Sequence, residues 1–325
     1  MRTNRILVVL MLALLIAVAS TAALARPLEN GVKRFDIGVI GDFPYAPGQQ
    51  IEAQNLLDEL NGEKLAFVTH DGDIKIGSTA CTDDVYAQEY RRFESSENPF
   101  VYTPGDNEWT DCHRLPNPSP EEAYPLNRLA LVRQTFFSDG YSLGQKEIPL
   151  QRQSEDYPEN ARWRYGDVTF ATLHVVGSNN NRPPTANPTV GNEEEWRARN
   201  EANIAWLKEA FDAAESQNSR AVMLVTQANI FEADTAQSSG FAEFREALRD
   251  ETIAFGKPVA LVHGDSHYFR IDKPLYDEDG SRVLNFTRVE TFGDKDVHWV
   301  RATIDIRDPE VYSFQPEIVD ENVGP

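Results

Sequence analysis

Eight side chains carry the chemistry open to this sequence. Asp42, Asp73, Asp106 and Asp265 offer carboxylate oxygens, Gln227 an amide oxygen and His267 an imidazole nitrogen. Asn107 and His174 stand near them as hydrogen-bonding groups. Carboxylate and imidazole are the donors that hold divalent cations, and such cations activate water and polarise phosphoryl oxygens. The residues fall in five clusters: Gly41-Asp42-Phe43-Pro44, Gly72-Asp73-Ile74-Lys75, Gly105-Asp106-Asn107-Glu108, Thr226-Gln227 and Gly264-Asp265-Ser266-His267. Taken singly, an Asp after an apolar run is most simply a loop or helix cap, and a lone Gln an ordinary buried amide. Taken together, every cluster follows directly on an apolar run, and that shared position favours a common site.

The elements that must position them follow from hydrophobic periodicity. Phe35 to Ile40, Leu65 to Thr69, Phe100 to Thr103, Ala221 to Thr226 and Pro258 to Val262 have strand character. Further strands are expected from Trp163 to Val176, around a Gly166-Asp167 turn, from Val283 to Val289 and from His298 to Ile306. Helical periodicity runs through Ile51 to Leu60, Asp83 to Phe93 behind a Thr82 cap, and Asn192 to Ala214. This alternation predicts a layered α/β domain. Ligands in open α/β sheets bind beyond the carboxyl ends of the strands, where loops distant in sequence converge. No repeat or linker divides the chain, so a single domain is expected over 35–306, with 307–325 as a tail. The insertion from Leu115 to Pro158 and the Asn-rich loop from Ser178 are expected to shape the pocket.

In order and spacing the five clusters resemble the motifs of the calcineurin-like metallophosphoesterases. That family carries Asp-x-His, Gly-Asp-x-x-Asp, Gly-Asn-His-Asp/Glu, a lone His and Gly-His-x-His. The resemblance spans roughly Phe35 to Ile306. It implies a four-layer α-β-β-α sandwich with two mixed sheets and a two-metal site for hydrolysis of phosphoric esters. Position by position, Asp42 matches a first-metal ligand, Asp73 the bridging carboxylate and His267 the closing histidine. Other positions depart. Pro44 stands where the family has its first His and cannot bind metal. Asp106 replaces Asn, Gln227 replaces the lone His, and Asp265 replaces the first His of the last pair. Ile76 replaces the second Asp of the second motif, and Asn107 the His that assists the leaving group.

These exchanges enrich the site in oxygen. Four clustered carboxylates repel without a counter-charge, and two divalent cations would neutralise them. Oxygen donors favour Mn²⁺ or Mg²⁺, with Ca²⁺ also suited, over Zn²⁺. The gap at Pro44 leaves the first metal short of a ligand, to be filled by water, His263 or His70. Asn107 can polarise a phosphoryl oxygen but is no general acid. His174 is either a substrate contact or a satisfied structural histidine. Lys75 reads as a solvated lysine rather than a phosphate-steering cation.

The whole chain has 31 basic and 52 acidic side chains, a net charge of −21. Such a field repels nucleic-acid phosphates, so no nucleic-acid surface is expected. A metal site overrides that field locally, which keeps a small-molecule or lipid phosphate ester open as substrate. Arg2 and Arg5, the apolar run Ile6 to Ala19 and Ala23-Leu24-Ala25 form a secretory signal peptide over 1–25. A secreted or periplasmic location follows, with no stable membrane span after cleavage. In that compartment Cys81 and Cys112 are expected to pair, tying the loop after Asp73 to the loop after Asn107. Two competing expectations stand beside the hydrolase. One is a catalytically silent relative acting as a binding or structural module. The other is an unrelated α/β fold with acids at its strand ends by coincidence.

Overall fold

Two β-α units open the chain. β1 (Arg34–Ile40) leads into α1 (Gln49–Gly62), and β2 (Leu65–His70) into α2 (Asp83–Glu94) and β3 (Phe100–Tyr102). A 3₁₀ turn (Thr110–Arg114) and α3 (Pro125–Phe136) follow. Next come β4 (Gln151–Arg152), β5 (Ala161–Tyr165) and β6 (Val168–Thr172), then the single turn α4 (Gly177–Asn180) and the long α5 (Glu193–Ser216). The chain closes with β7 (Ala221–Val225), α6 (Ala242–Phe255), β8 (Val259–His263), β9 (Arg270–Asp272), β10 (Phe286–Glu290), β11 (Trp299–Asp305) and β12 (Tyr312–Glu317). This computed structural model describes residues 31–114, 124–183, 191–231 and 239–323. The signal peptide expected over 1–25 lies outside the described residues.

The strands form two mixed sheets. One has the order β12-β11-β1-β2-β3 and the other β4-β5-β6-β7-β8-β10-β9. β1, β2 and β3 pair in parallel, as do β6, β7, β8 and β10, so their carboxyl ends point one way within each sheet. These strands are buried almost throughout, one face against the other sheet and one against the helices. Ile37, Val39, Phe67 and Val101 from one sheet pack with Trp163, Phe170, Met223 and Val262 from the other in a shared core. Phe67 meets Phe170 edge-on at 5.0 Å between ring centroids, and Trp163 stacks on Phe170 at 5.4 Å. Such aromatic pairs contribute about 0.5–1.5 kcal/mol beyond area burial.

Helices cover the outer faces. Ala53, Leu56, Leu60, Tyr86 and Phe93 pack on the outer side of the first sheet. Trp206, Leu207, Phe211, Phe244 and Leu248 do so on the second. Asn192, taken as the first residue of the expected helix, caps α5, its side chain accepting from the Glu195 N–H. Thr82 precedes α2 without a side-chain cap bond. The tail expected beyond 306 is not one: β12 pairs antiparallel with β11 from Trp299↔Glu317 to Ile304↔Tyr312 and forms an edge of the first sheet. It escaped notice because an edge strand buries little, and Tyr312, Phe314 and Pro316 alternate with polar residues. α6 was also unanticipated, although Phe244, Leu248, Thr252 and Phe255 recur at helical spacing on its buried face. No helix among the described residues is long and apolar enough to cross a membrane.

Candidate metal centre

The loops leaving β1, β2, β3, β7 and β8 meet at one place, and main-chain bonds fix them to one another. The Asp42 N–H donates to Gly72 O at 3.0 Å, Thr103 N–H to His70 O at 3.1 Å and Gly264 N–H to Gln227 O at 3.1 Å. Close approach sets the glycines. A Cβ on Gly41 would sit 1.5 Å from Asp71 Oδ1, and one on Gly105 would sit 2.0 Å from Asp73 Oδ1. Asp42, Asp73, Asp265 and His267 all hold left-handed backbone, with φ of 58°, 60°, 78° and 58°. Each costs about 1–2 kcal/mol relative to a relaxed residue, and such strain gathers where the surrounding fold aims a side chain.

Two trios result. The ligand atoms of Asp42, Asp73 and His267 lie within 4.8 Å of one another, and so do those of Asp73, Asp106 and Asp265. Asp73 belongs to both. At the first trio, the Tyr45 hydroxyl lies 3.1 Å from Asp42 Oδ1, 3.1 Å from Asp73 Oδ2 and 3.1 Å from His267 Nε2. At the second, the Gln227 Nε2 amide lies 3.1 Å from Asp73 Oδ2, 3.3 Å from Asp106 Oδ1 and 3.2 Å from Asp265 Oδ1. Outer oxygens are met by protein donors. Ser178 Oγ donates toward Asp106 Oδ2 at 2.5 Å, the Asn229 N–H to Asp265 Oδ2 at 3.2 Å and the Asn107 N–H to Asp73 Oδ1 at 3.1 Å. The Asp265 N–H reaches both Asp42 oxygens at 3.2 and 3.0 Å.

The electrostatics are those of crowded buried acids. Burial, then the neighbouring Asp106 and Glu108 charges, push the Asp73 carboxyl well above its usual range. Burial raises Asp42 as well, against the lowering pull of His267. Asp111 rises to about 7, from burial and from Asp106. His267 is raised: burial pushes it down, but hydrogen bonding to Asp42 and the surrounding acids outweigh that. A divalent cation would reverse this logic, because ionised carboxylates are then the favoured partners. By donor type the first trio suits such an ion, with two carboxylates, an imidazole and a phenol oxygen. At the second trio the chain's own amide stands at the focus.

The structure thus gathers Asp42, Asp73, Asp106, Asp265 and His267, and corrects four expectations. Gln227 was expected as a metal ligand, yet its Oε1 accepts from the Gly177 N–H at 2.6 Å, so its NH₂ group faces the acids. Lys75 is not solvated: it is 3% exposed, beside Glu108, Asp73, Asp111 and Asp106, with its ammonium donating to Ile76 O. His174 is fully buried, 2.8 Å from Glu159 Oε1 and with its ring against Trp109, so it belongs to a structural network and touches none of the acids. Neither His70 nor His263 fills the gap at Pro44. His70 packs among Phe43, Phe93 and Tyr102, and burial holds both histidines down to about 3. The Tyr45 hydroxyl is the group that lies beside Asp42, Asp73 and His267 there. Its signal was one residue beyond Pro44, but an aromatic residue in a loop is more often a packing group.

Asn107, expected to contact the phosphoryl group, lines the cavity, and its Nδ2 donates to Asp73 Oδ2 at 2.9 Å. Glu108 braces the loops, accepting from the Ile74 N–H and the Tyr102 hydroxyl. The Cys81–Cys112 disulfide is present, with Cα atoms 5.8 Å apart, and ties the segment before α2 to the 3₁₀ turn. Tyr45, Asn107 and His267 open on a cavity of about 440 Å³, also lined by Gly77, Ser78 and Arg114. A larger cavity of about 640 Å³, lined by Leu126, Arg133 and Tyr157, contains none of the clustered acids.

Comparison with known proteins gives fold-level likeness of low degree. No family model matches the chain, and no curated protein does. Among solved structures, vacuolar protein sorting 29 from Cryptosporidium parvum is similar over 88% of this chain and 98% of its own, at 10% identity and a TM-score of 0.32. A carbon-nitrogen hydrolase from Helicobacter pylori is similar over 89% of this chain and 91% of its own, at 10% identity and a TM-score of 0.28.

Proposed function

We propose that this chain is an exported metal-dependent hydrolase of phosphoric esters, built on a metallophosphoesterase-like four-layer sandwich. One observation carries the reading: two carboxylate-bearing trios share Asp73, and His267 of the first opens with Tyr45 and Asn107 on a cavity. A bound cation would supply Lewis acidity toward a phosphoryl oxygen and acidify a water. The donors favour Mn²⁺ or Mg²⁺, with Ca²⁺ also suited, over Zn²⁺. Everything else falls to the chain. Asp42, Asp73 and His267 hold the ion, and Asn107 keeps the Asp73 carboxylate turned toward it. Arg114, half-exposed at the cavity rim, draws in the anionic group of a small-molecule or lipid phosphate ester. The signal-like pattern of residues 1–25 in the sequence and the disulfide are the support for a secreted or periplasmic setting.

The test is turnover. With Mn²⁺, the mature protein is expected to hydrolyse members of a monoester and diester panel, and Asp73→Asn to abolish that activity. Lack of metal-dependent turnover across the panel would overturn the reading.

A specific observation favours the silent module as second reading. The position for a leaving-group acid is Asn107, an amide bonded to Asp73 that cannot donate a proton of that kind. A module would retain its partner binding in the Asp73→Asn variant.

A further inference from the structure

The geometry points to a centre that takes one divalent cation rather than two, with the Gln227 amide in the second place and the Tyr45 oxygen completing the first. The inference rests on the metal-binding half of the proposed function and departs from the two-metal expectation. The atom at the focus separates the two trios, an amide nitrogen at one and a phenol oxygen at the other. At the second, one NH₂ group faces three carboxylates at 3.1–3.3 Å, and each of those carboxylates has its other oxygen met by Ser178, Asn229 N–H or Asn107 N–H. The amide cannot turn its oxygen inward, because that oxygen is the acceptor for the buried Gly177 N–H at 2.6 Å. Reversal would set two donors against each other there and leave a main-chain N–H without a partner, a cost of about 1–3 kcal/mol. A neutral donor thus stands where a second cation would.

At the first trio the Asn107 amide donates to Asp73 and the Asp265 N–H to Asp42, but the group at the focus is the Tyr45 oxygen, 3.1 Å from Asp42, Asp73 and His267, an atom that can itself be a ligand. His267 Nε2 and Asp42 Oδ1 are 3.5 Å apart. The separations of 3.1 Å from the Tyr45 oxygen to each of the three, and of 3.5 Å between His267 and Asp42, are in the range of neighbouring ligands around one ion. Tyr45 therefore stands where Pro44 left the ligand set short.

The experiment uses the mature protein, stripped with chelator and dialysed to equilibrium against Mn²⁺. Metal content per chain and the electron paramagnetic resonance spectrum are the readouts. One ion per chain with an isolated six-line Mn²⁺ spectrum is expected. Gln227→Glu and Gln227→His are expected to take two ions with an exchange-coupled spectrum, circular dichroism confirming that each is folded. Tyr45→Phe should keep one ion and bind it at least about tenfold more weakly, the loss known for disturbing even an outer partner of a ligand. Two ions in the unaltered protein would overturn this inference and leave the hydrolase standing. No ion at millimolar Mn²⁺ would overturn both. A folded Gln227→Glu or Gln227→His that still takes one ion would remove the amide from its assigned role.

Discussion

At the residue scale, the site depends on contacts too close for any added atom. Gly105→Ala would place a methyl carbon 2.0 Å from Asp73 Oδ1 and 2.7 Å from Asp73 N. We expect that variant to lose Mn²⁺ binding while keeping its far-ultraviolet circular dichroism, metal content being the check. A second prediction concerns Glu159, distant in role from the acids. Burial alone would raise its carboxyl, but the His174 N–H and the Arg133 guanidinium hold it down to about 2. A folded value below the unfolded one means that the unfolded chain binds more protons between pH 4.5 and pH 2. The stabilisation is complete above that window and vanishes as pH falls through it. Glu159→Gln should cost about 2–3 kcal/mol at neutral pH, and the gap between the variants' denaturant midpoints should close toward pH 2. The four aspartates were legible in the sequence because each follows an apolar run and a glycine. The roles of Tyr45, Lys75 and Gln227 were not. A phenol, an ammonium and an amide take their meaning from which way they face, and only folding brings the Gly177 N–H to Gln227 or encloses Lys75 among acids.

At the element scale, the strand-loop-helix order was readable since period-two and period-3.6 patterns are local. β1, β2, β7, β8 and α5 fall within a few residues of expectation. What escaped is element character that depends on neighbours. The loop expected from Ser178 begins as a left-handed turn, with φ from 51° to 60° at Ser178, Asn179, Asn180 and Asn181. Asparagine tolerates that region better than most residues, which gives the Asn run a structural reason. It delivers the Ser178 hydroxyl to Asp106 and Asp111. The disulfide acts at this scale too. Replacing both Cys81 and Cys112 by Ser should lower unfolding free energy by about 3 kcal/mol in denaturant titration. It should also weaken Mn²⁺ binding, because the bond fixes the loop that carries Asn107.

At the scale of the whole molecule, the two sheets make one core from strands that are far apart in sequence. β12 is the test of its boundary. Ending the chain at Ile306 would remove the strand paired along β11 and leave that edge with unpaired N–H and C=O groups. We expect the truncated protein to aggregate and to melt at lower temperature. An unchanged melting curve would return 307–325 to the status of a tail. The layered architecture was legible from the alternation of strand and helix signals, while the extent of each sheet was not, since an edge strand such as β12 is exposed or half-buried throughout.

The sharing of Asp73 has a thermodynamic corollary. The Tyr45 hydroxyl and the Gln227 amide address the same atom, Asp73 Oδ2. An ion drawing on that oxygen from one side therefore loosens the grip of the amide on the other, and by reciprocity a firmer amide weakens the ion by an equal factor. Affinity for metal is then adjustable from the far side of a single carboxylate, without touching a ligand.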